Sequence, residues 1–390
     1  MERLAVVTAT RAEYGLLAPV ILRLRNYEDK ELKVELIVTG THLSEAYGYT
    51  VTEIEEAGIR IDKKISIPDL SATECDISKN QAETLVKFTD LFVRQGYRAV
   101  LLLGDRYETL AIAIAAGNTK TPVFHMCGGD TTEGAMDEWI RHAITKISYL
   151  HFVTNMESRK RVIQLGEAPE RVFNYGATGI DNSLTIADMT KEDALSSVGL
   201  GDCRYAVCTY HPVTLGDGCV EEQIRNLVMA VENYPDIQFI ITKANADQGG
   251  ARINALLDEA GRQARNLHVF TSLGVRRYLS LIKYAEFVLG NSSSGIIEAP
   301  AFGVPTVNIG DRQRGRLQPE SIINCGESTD EICKAIHTAL SVEHMALCRK
   351  VRSPYGDGHA AERIAVKIVE TLREKIDQKK SFYNLDFVEG

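Results

Sequence analysis

Residues 125–148, HMCGGDTTEGAMDEWIRHAITKIS, place Asp130, Glu133, Asp137 and Glu138 just ahead of Ile140, Ile144 and Ile147, which share one helical face. Carboxylates crowded at one place repel, and that lifts at least one pKa toward the range useful for moving protons. Gly128 and Gly129 let the backbone come close to a ligand. Asp137 and Arg141 are four residues apart, as are Glu138 and His142, so each pair can share a helix face. Acids at a helix start are also favoured by the macrodipole, by roughly 0.3–1 kcal/mol each. That accounts for the second pair of acids but not for the two in the glycine loop.

Four other clusters carry similar chemistry. TATRAEYG sets Arg11 after an apolar run and just ahead of a helix, an arrangement that suits a phosphate, although G-x-G-x-x-G is absent. LLLGDRYETL puts Asp105 and Arg106 directly after another apolar run. TYHPVT offers His211, a neutral-range acid or base. LGNSSSGIIEAPAFGVPTVNIGDRQRGR combines serines that open a helix, Glu298 within it, and Arg312, Arg314 and Arg316 after the next apolar run. Serine hydroxyls with free helix N–H groups bind anions, and a carboxylate such as Glu298 can accept from both hydroxyls of a ribose.

All these clusters fall at the ends of short, β-rich runs. The first half has such runs at 4–9, 33–39, 98–104, 121–126, 149–154 and 171–176, and the second half at 205–210, 237–242, 266–270, 286–290 and 304–310. Helical stretches, such as 221–231 and 252–260, separate most of them. Continuous apolar strands with helices between them predict parallel sheets covered on both faces. The pattern runs twice, with a junction near Gly176–Asp181. The expected fold class is therefore α/β, with two Rossmann-like doubly wound domains facing a cleft. Domain one spans 1–178 and domain two 179–359, and an amphipathic helix over 360–380 packs back onto domain one. In such sheets ligands bind beyond the carboxyl ends of the strands, where the polar clusters lie.

Composition narrows the class further. The chain has 390 residues, a net charge of −9 and 44% hydrophobic residues, with no basic run that suggests nucleic acid or an anionic membrane. No stretch approaches the roughly 18 apolar residues of a membrane span. The start, MERLAVVTATRAEYG, lacks the basic opening and longer apolar core of a signal peptide. None of the eight cysteines forms a C-x-x-C pair, so neither a zinc site nor a disulfide framework is expected. A reduced, cytoplasmic protein is the expectation.

The ordered set TRAEYG, LGDRYE, GGD…DExIRHAITK, HPVT, GNSSSGIIEAPAFGVPTVNIGDRQRGR and YGDGHA resembles the hydrolysing UDP-N-acetylglucosamine 2-epimerases, over about residues 5–365. The resemblance implies the glycosyltransferase B type of two-domain fold and a UDP-GlcNAc site in its cleft. It implies removal of the C2 proton, loss of UDP from C1 to give a 2-acetamidoglucal, and hydration to N-acetylmannosamine, which feeds sialic-acid synthesis. Carried over by motif, Asp105, Asp130, Asp137 and His211 form the acid–base group, with Glu138 and Arg141 beside them. Ser292, Ser293 and Arg11 would hold the diphosphate, with Arg106 and Arg312 close by, and Glu298 would hold the ribose. No metal or cofactor is needed, and a homodimer or homotetramer is implied.

Two positions depart from the family pattern. Asp130 stands where Glu is usual, one methylene shorter. The segment TKAN, with Lys243 and Asn245, replaces an aromatic or proline and can meet a phosphate or an altered sugar. Some members of the family act on 4-amino-6-deoxy relatives of GlcNAc, on the legionaminic acid route. The non-hydrolysing epimerases typically carry HVEAGLR in the glycine loop, and this chain does not. A non-catalytic sensor of nucleotide sugars would have no need for the full acid set.

Overall fold

The computed structural model describes residues 2–29, 32–68, 73–132, 136–211, 219–244 and 250–386. The chain divides into two compact units. Unit 1 comprises Met1–Asp130, Asp137–Thr178 and Gly356–Gly390; unit 2 comprises Thr131–Met136 and Gly179–Tyr355.

Unit 1 is built on a seven-stranded, wholly parallel sheet. Its strands are β1 (Glu2–Thr8), β2 (Leu32–Thr39), β3 (Lys63–Ile65), β4 (Ala99–Leu103), β5 (Val123–Met126), β6 (Leu150–Val153) and β7 (Val172–Asn174), in the order β3-β2-β1-β4-β5-β6-β7. The order reverses between β1 and β4, where Leu4 pairs with Ala99 and Val6 with Leu101. The first six helices are α1 (Arg11–Arg25), α2 (Val51–Glu56), α3 (Glu74–Gln95), α4 (Tyr107–Asn118), α5 (Asp137–Ile147) and α6 (Met156–Gln164). The central strands are apolar on both faces because helices cover both faces. One core cluster joins Leu4 and Val6 to Leu17 and Ile21 of α1 and to Ile364 and Ile368 of the helix Ala360–Arg373. The other joins Ala5, Val7 and Val100 to Phe88 and Phe92 of α3, Ile112 of α4 and Ile140 and Ile144 of α5.

Unit 2 repeats the pattern with six parallel strands: β8 (Tyr205–Thr209), β9 (Gln238–Thr242), β10 (Leu267–Phe270), β11 (Val288–Gly290), β12 (Thr306–Ile309) and β13 (Ile322–Cys325), in the order β10-β9-β8-β11-β12-β13. Its order reverses between β8 and β11. Two strands, β3 (KKI) and β13 (IINC), have no counterpart among the apolar runs in the sequence. Both are short edge strands with partly exposed side chains, so neither needs the continuous apolar signature of a central strand. No described helix is long and apolar enough to cross a membrane.

Candidate active site

In unit 1 the polar residues gather beyond β1, β4 and β5, on either side of the point where strand order reverses. α1 begins with a capping box: Thr10 accepts from the Glu13 backbone N–H, and the Glu13 carboxylate accepts in return. Glu13 Oε2 takes the Ala9 N–H at 2.8 Å and the Thr10 N–H at 3.2 Å, and Oε1 takes the Thr109 hydroxyl at 3.2 Å. This one carboxylate therefore ties the loop after β1 to the first turn of α4. Burial pushes its pKa up to about 7 against the opposing pull of the Ala9 N–H. Arg11 lies half-exposed on the first turn of α1. Arg106 caps α4, bonds Glu108 at 3.3 Å and lies over the Tyr107 ring.

Arg141 organises the acids. It is 1% exposed, the largest fully buried side chain among the described residues. A buried charge is costly unless it is paired and hydrogen-bonded. Here Nε donates to Asp105 Oδ2 at 2.9 Å and Nη2 donates to the same oxygen, while Nη1 donates to the Asp130 carbonyl at 2.6 Å and to Glu138 Oε2 at 3.1 Å. Burial works against the guanidinium charge, but Asp105, Asp130 and Glu138 outweigh it, so the pKa lies above its ordinary value. Glu138 Oε1 also lies 3.2 Å from His142 Nε2, the i,i+4 pair expected from the sequence. Arg141 itself turns to Asp105 and Glu138. Asp137 opens α5, half-exposed, one turn before Arg141. The Asp130 carboxylate accepts from the Thr154 and Ser158 hydroxyls at 2.8 and 2.5 Å.

In unit 2 the centre is Asn291, just past β11 and fully buried. Its Oδ1 accepts the His211 N–H at 2.7 Å and its Nδ2 donates to the His211 carbonyl at 2.8 Å, which locks the end of β8 to the end of β11. Its own carbonyl accepts from Arg312 Nη1 at 3.3 Å and Gln313 Nε2 at 2.8 Å, which brings the basic loop after β12 to the same place. Ser292 caps the short helix Ser293–Ile297 and accepts from the Ser294 N–H. Glu298 follows that helix and is buried; burial raises its pKa to about 8, offset in part by its own N–H, the Ser294 hydroxyl and Arg316. Its carboxylate lies against Gly179, where a Cβ would stand 2.1 Å from Oε1. Lys243 lies at the end of β9 and pairs with Asp258 at 2.7 Å. A cavity of about 840 Å³ beside β12 and β13 is lined by Asp311, Arg314, Arg316 and Glu327. Asn245, Glu133 and the residues after His211 in HPVT lie outside the described residues.

Three further residues at strand ends escaped the sequence reading. His42, past β2, is fully buried, with Nε2 3.1 Å from Thr8 Oγ1 and Nδ1 2.8 Å from Thr50 Oγ1. Burial holds its pKa down at about 4, so it is neutral at pH 7. His125 Nε2 donates to the Gly104 carbonyl at 2.8 Å and steadies the loop that bears Asp105. Gln313 ties the basic loop to Asn291. The rule that ligand-binding groups follow strand ends, applied to every strand, points at His42. The T-x-x-E spacing of Thr10 and Glu13 likewise announces the capping box. Among the described residues no group of three or more His, Cys, Asp or Glu is placed to hold a metal ion.

The family model for UDP-N-acetylglucosamine 2-epimerase matches residues 25–369. The chain belongs to this enzyme family. It is 35% identical over 386 residues to polysialic acid biosynthesis protein P7 of Escherichia coli, with 99% of this chain and 98% of the relative covered. It is 38% identical over 325 residues to the GDP/UDP-N,N'-diacetylbacillosamine 2-epimerase (hydrolyzing) of Campylobacter jejuni, covering 83% of this chain and 84% of that one. The structure of UDP-GlcNAc 2-epimerase from Neisseria meningitidis bound to UDP-GlcNAc superposes with a TM-score of 0.80 at 20% identity, over 95% of this chain and all (100%) of that one. The two parallel-sheet domains are those of this family's glycosyltransferase B-like fold.

Proposed function

We propose that the chain is a hydrolysing UDP-GlcNAc 2-epimerase, which converts UDP-GlcNAc and water to N-acetylmannosamine and UDP. The observation that carries this reading is the Arg141 hub, which gathers Asp105, the Asp130 carbonyl and Glu138 at the strand ends of unit 1. A carboxylate or His211 takes the C2 proton. The C1–O bond breaks, and its electron pair leaves with UDP. The 2-acetamidoglucal then gains a hydroxyl at C1 and a proton at C2 on the opposite face. Charge accumulates on the leaving diphosphate, so Arg11, Arg106, Arg312, Ser292 and Ser293 are its donors. Glu298 accepts from the ribose hydroxyls. The hydrolysing outcome is supported by the Campylobacter relative, whose name carries it.

That same name favours a second reading, in which the sugar is a 2,4-diacetamido-6-deoxy relative of GlcNAc. Proton NMR in deuterated water separates the two. Free N-acetylmannosamine deuterated at C2, appearing with UDP, supports the first reading. Turnover of UDP-N,N'-diacetylbacillosamine alone supports the second. UDP-ManNAc as the product would overturn hydrolysis.

A further inference from the structure

We propose that Asp130 is a positioning residue that fixes the glycine loop and Arg141, and that the proton chemistry of the reaction proposed above rests on other groups. Asp130 is 7% exposed, and its carboxylate faces the turn between β6 and α6. Two hydroxyls donate to one of its oxygens, Oδ1: Thr154 Oγ1 at 2.8 Å and Ser158 Oγ at 2.5 Å. The direction of the Thr154 proton is set by its neighbour. Asn155 Nδ2 donates to Thr154 Oγ1 at 3.1 Å, which leaves the Thr154 hydrogen for Asp130. Asn155 is in turn held as the cap of α6, its Oδ1 accepting the Ser158 N–H at 2.9 Å. The carboxylate is thus clamped by a helix start.

The backbone beside it makes the same connection. Gly129 has φ +79°, and a Cβ there would stand 2.3 Å from the Ser158 carbonyl oxygen, so the loop lies directly on α6. Arg161 donates to the Gly129 carbonyl from the same helix. The Asp130 carbonyl then receives Arg141 Nη1 at 2.6 Å, and Arg141 holds Asp105 through Nε. Force runs from the cap of α6 through Asp130 to Arg141 and on to Asp105. The shorter side chain fits this role.

The test compares Asp130→Ala, Asp130→Asn and the double variant Thr154→Val/Ser158→Ala. Asparagine keeps the acceptor oxygen and loses the titrating group. Asp130→Ala and the Thr154/Ser158 variant each lower kcat by about 10- to 100-fold with little change in KM, the effect of a misplacement of around 1 Å. Asp130→Asn restores kcat to within about fivefold of wild type and keeps both limbs of the kcat pH profile, as expected when no proton-transfer group is lost. Combining Asp130→Ala with the Thr154/Ser158 changes costs no more than either alone. An Asp130→Asn enzyme as inactive as Asp130→Ala, with the Thr154/Ser158 variant near wild type, overturns the proposal. Amide hydrogen exchange over residues 127–130 decides the anchor independently of turnover. It quickens in Asp130→Ala and in the Thr154/Ser158 variant but not in Asp130→Asn; equal exchange in all three overturns the anchor. A wild-type protein that turns over neither nucleotide sugar counts against the proposed function alone.

Discussion

Binding of UDP should release a proton from Glu298. Burial holds this carboxyl at a pKa of about 8, so at pH 7 it is mostly neutral. A ribose diol donating two hydrogen bonds stabilises the ionised form. Ionising Glu298 at pH 7 then costs about 1.4 kcal/mol, one pKa unit, and this is taken from the binding energy. The cost vanishes above pH 8. Affinity for UDP should therefore rise by roughly tenfold between pH 7 and pH 9, a range in which the terminal phosphate, with a pKa near 6, is already ionised. Titration calorimetry in two buffers of different ionisation enthalpy should show nearly one proton released per UDP at pH 7 and almost none at pH 9. Glu298→Gln should bind more weakly and show no slope. A flat wild-type profile, or a slope that persists in Glu298→Gln, refutes the assignment of Glu298 to the ribose. The sign for stability in the unliganded protein is opposite. The folded state favours the neutral acid, so this contribution is complete below about pH 4.5 and is lost as pH rises through about 8. Glu298→Gln should accordingly gain in melting temperature relative to wild type as pH goes from 6 to 9.

Three further outcomes follow from the geometry. Asp137→Asn should retain UDP affinity but lose most turnover; an unchanged kcat removes Asp137 from the acid–base group. Arg141→Ala should leave Asp105 without its partner and cost about 3–5 kcal/mol of stability, the range for breaking a buried ion pair, measured by chemical denaturation; a loss below about 1 kcal/mol would show that the hub carries no structural weight. Gly179→Ala should displace the Glu298 carboxylate, since the new Cβ would stand 2.1 Å from Oε1. UDP affinity should fall while the fold of unit 1 and its melting persist, and unchanged affinity would detach Glu298 from the nucleotide.

The fold class was legible because its signal is local. Eleven apolar runs match strands, and the central ones stand out because a strand covered on both faces is apolar throughout. The strand-end rule then led to Arg11, Asp105, His211 and Ser292 without any knowledge of contacts. The edge strands β3 and β13 carried no run that stood out: β3 reads KKI and β13 is four partly exposed residues, whereas the other two edges, β7 and β10, were marked. The long-range partners of the site residues were decided by strand order. The sequence spacing put Arg141 one turn from Asp137 on α5, but only the placing of β4 beside β5 brings Arg141 to Asp105. The acids of the glycine loop read as one crowd, yet the Asp130 carboxylate belongs to Thr154 and Ser158 from the next βα unit. Residue types are written in the chain and survive any arrangement of it. Hydrogen-bond partners, and the burial that moves Glu13 and Glu298 toward neutrality, exist only after distant segments have packed together and excluded water.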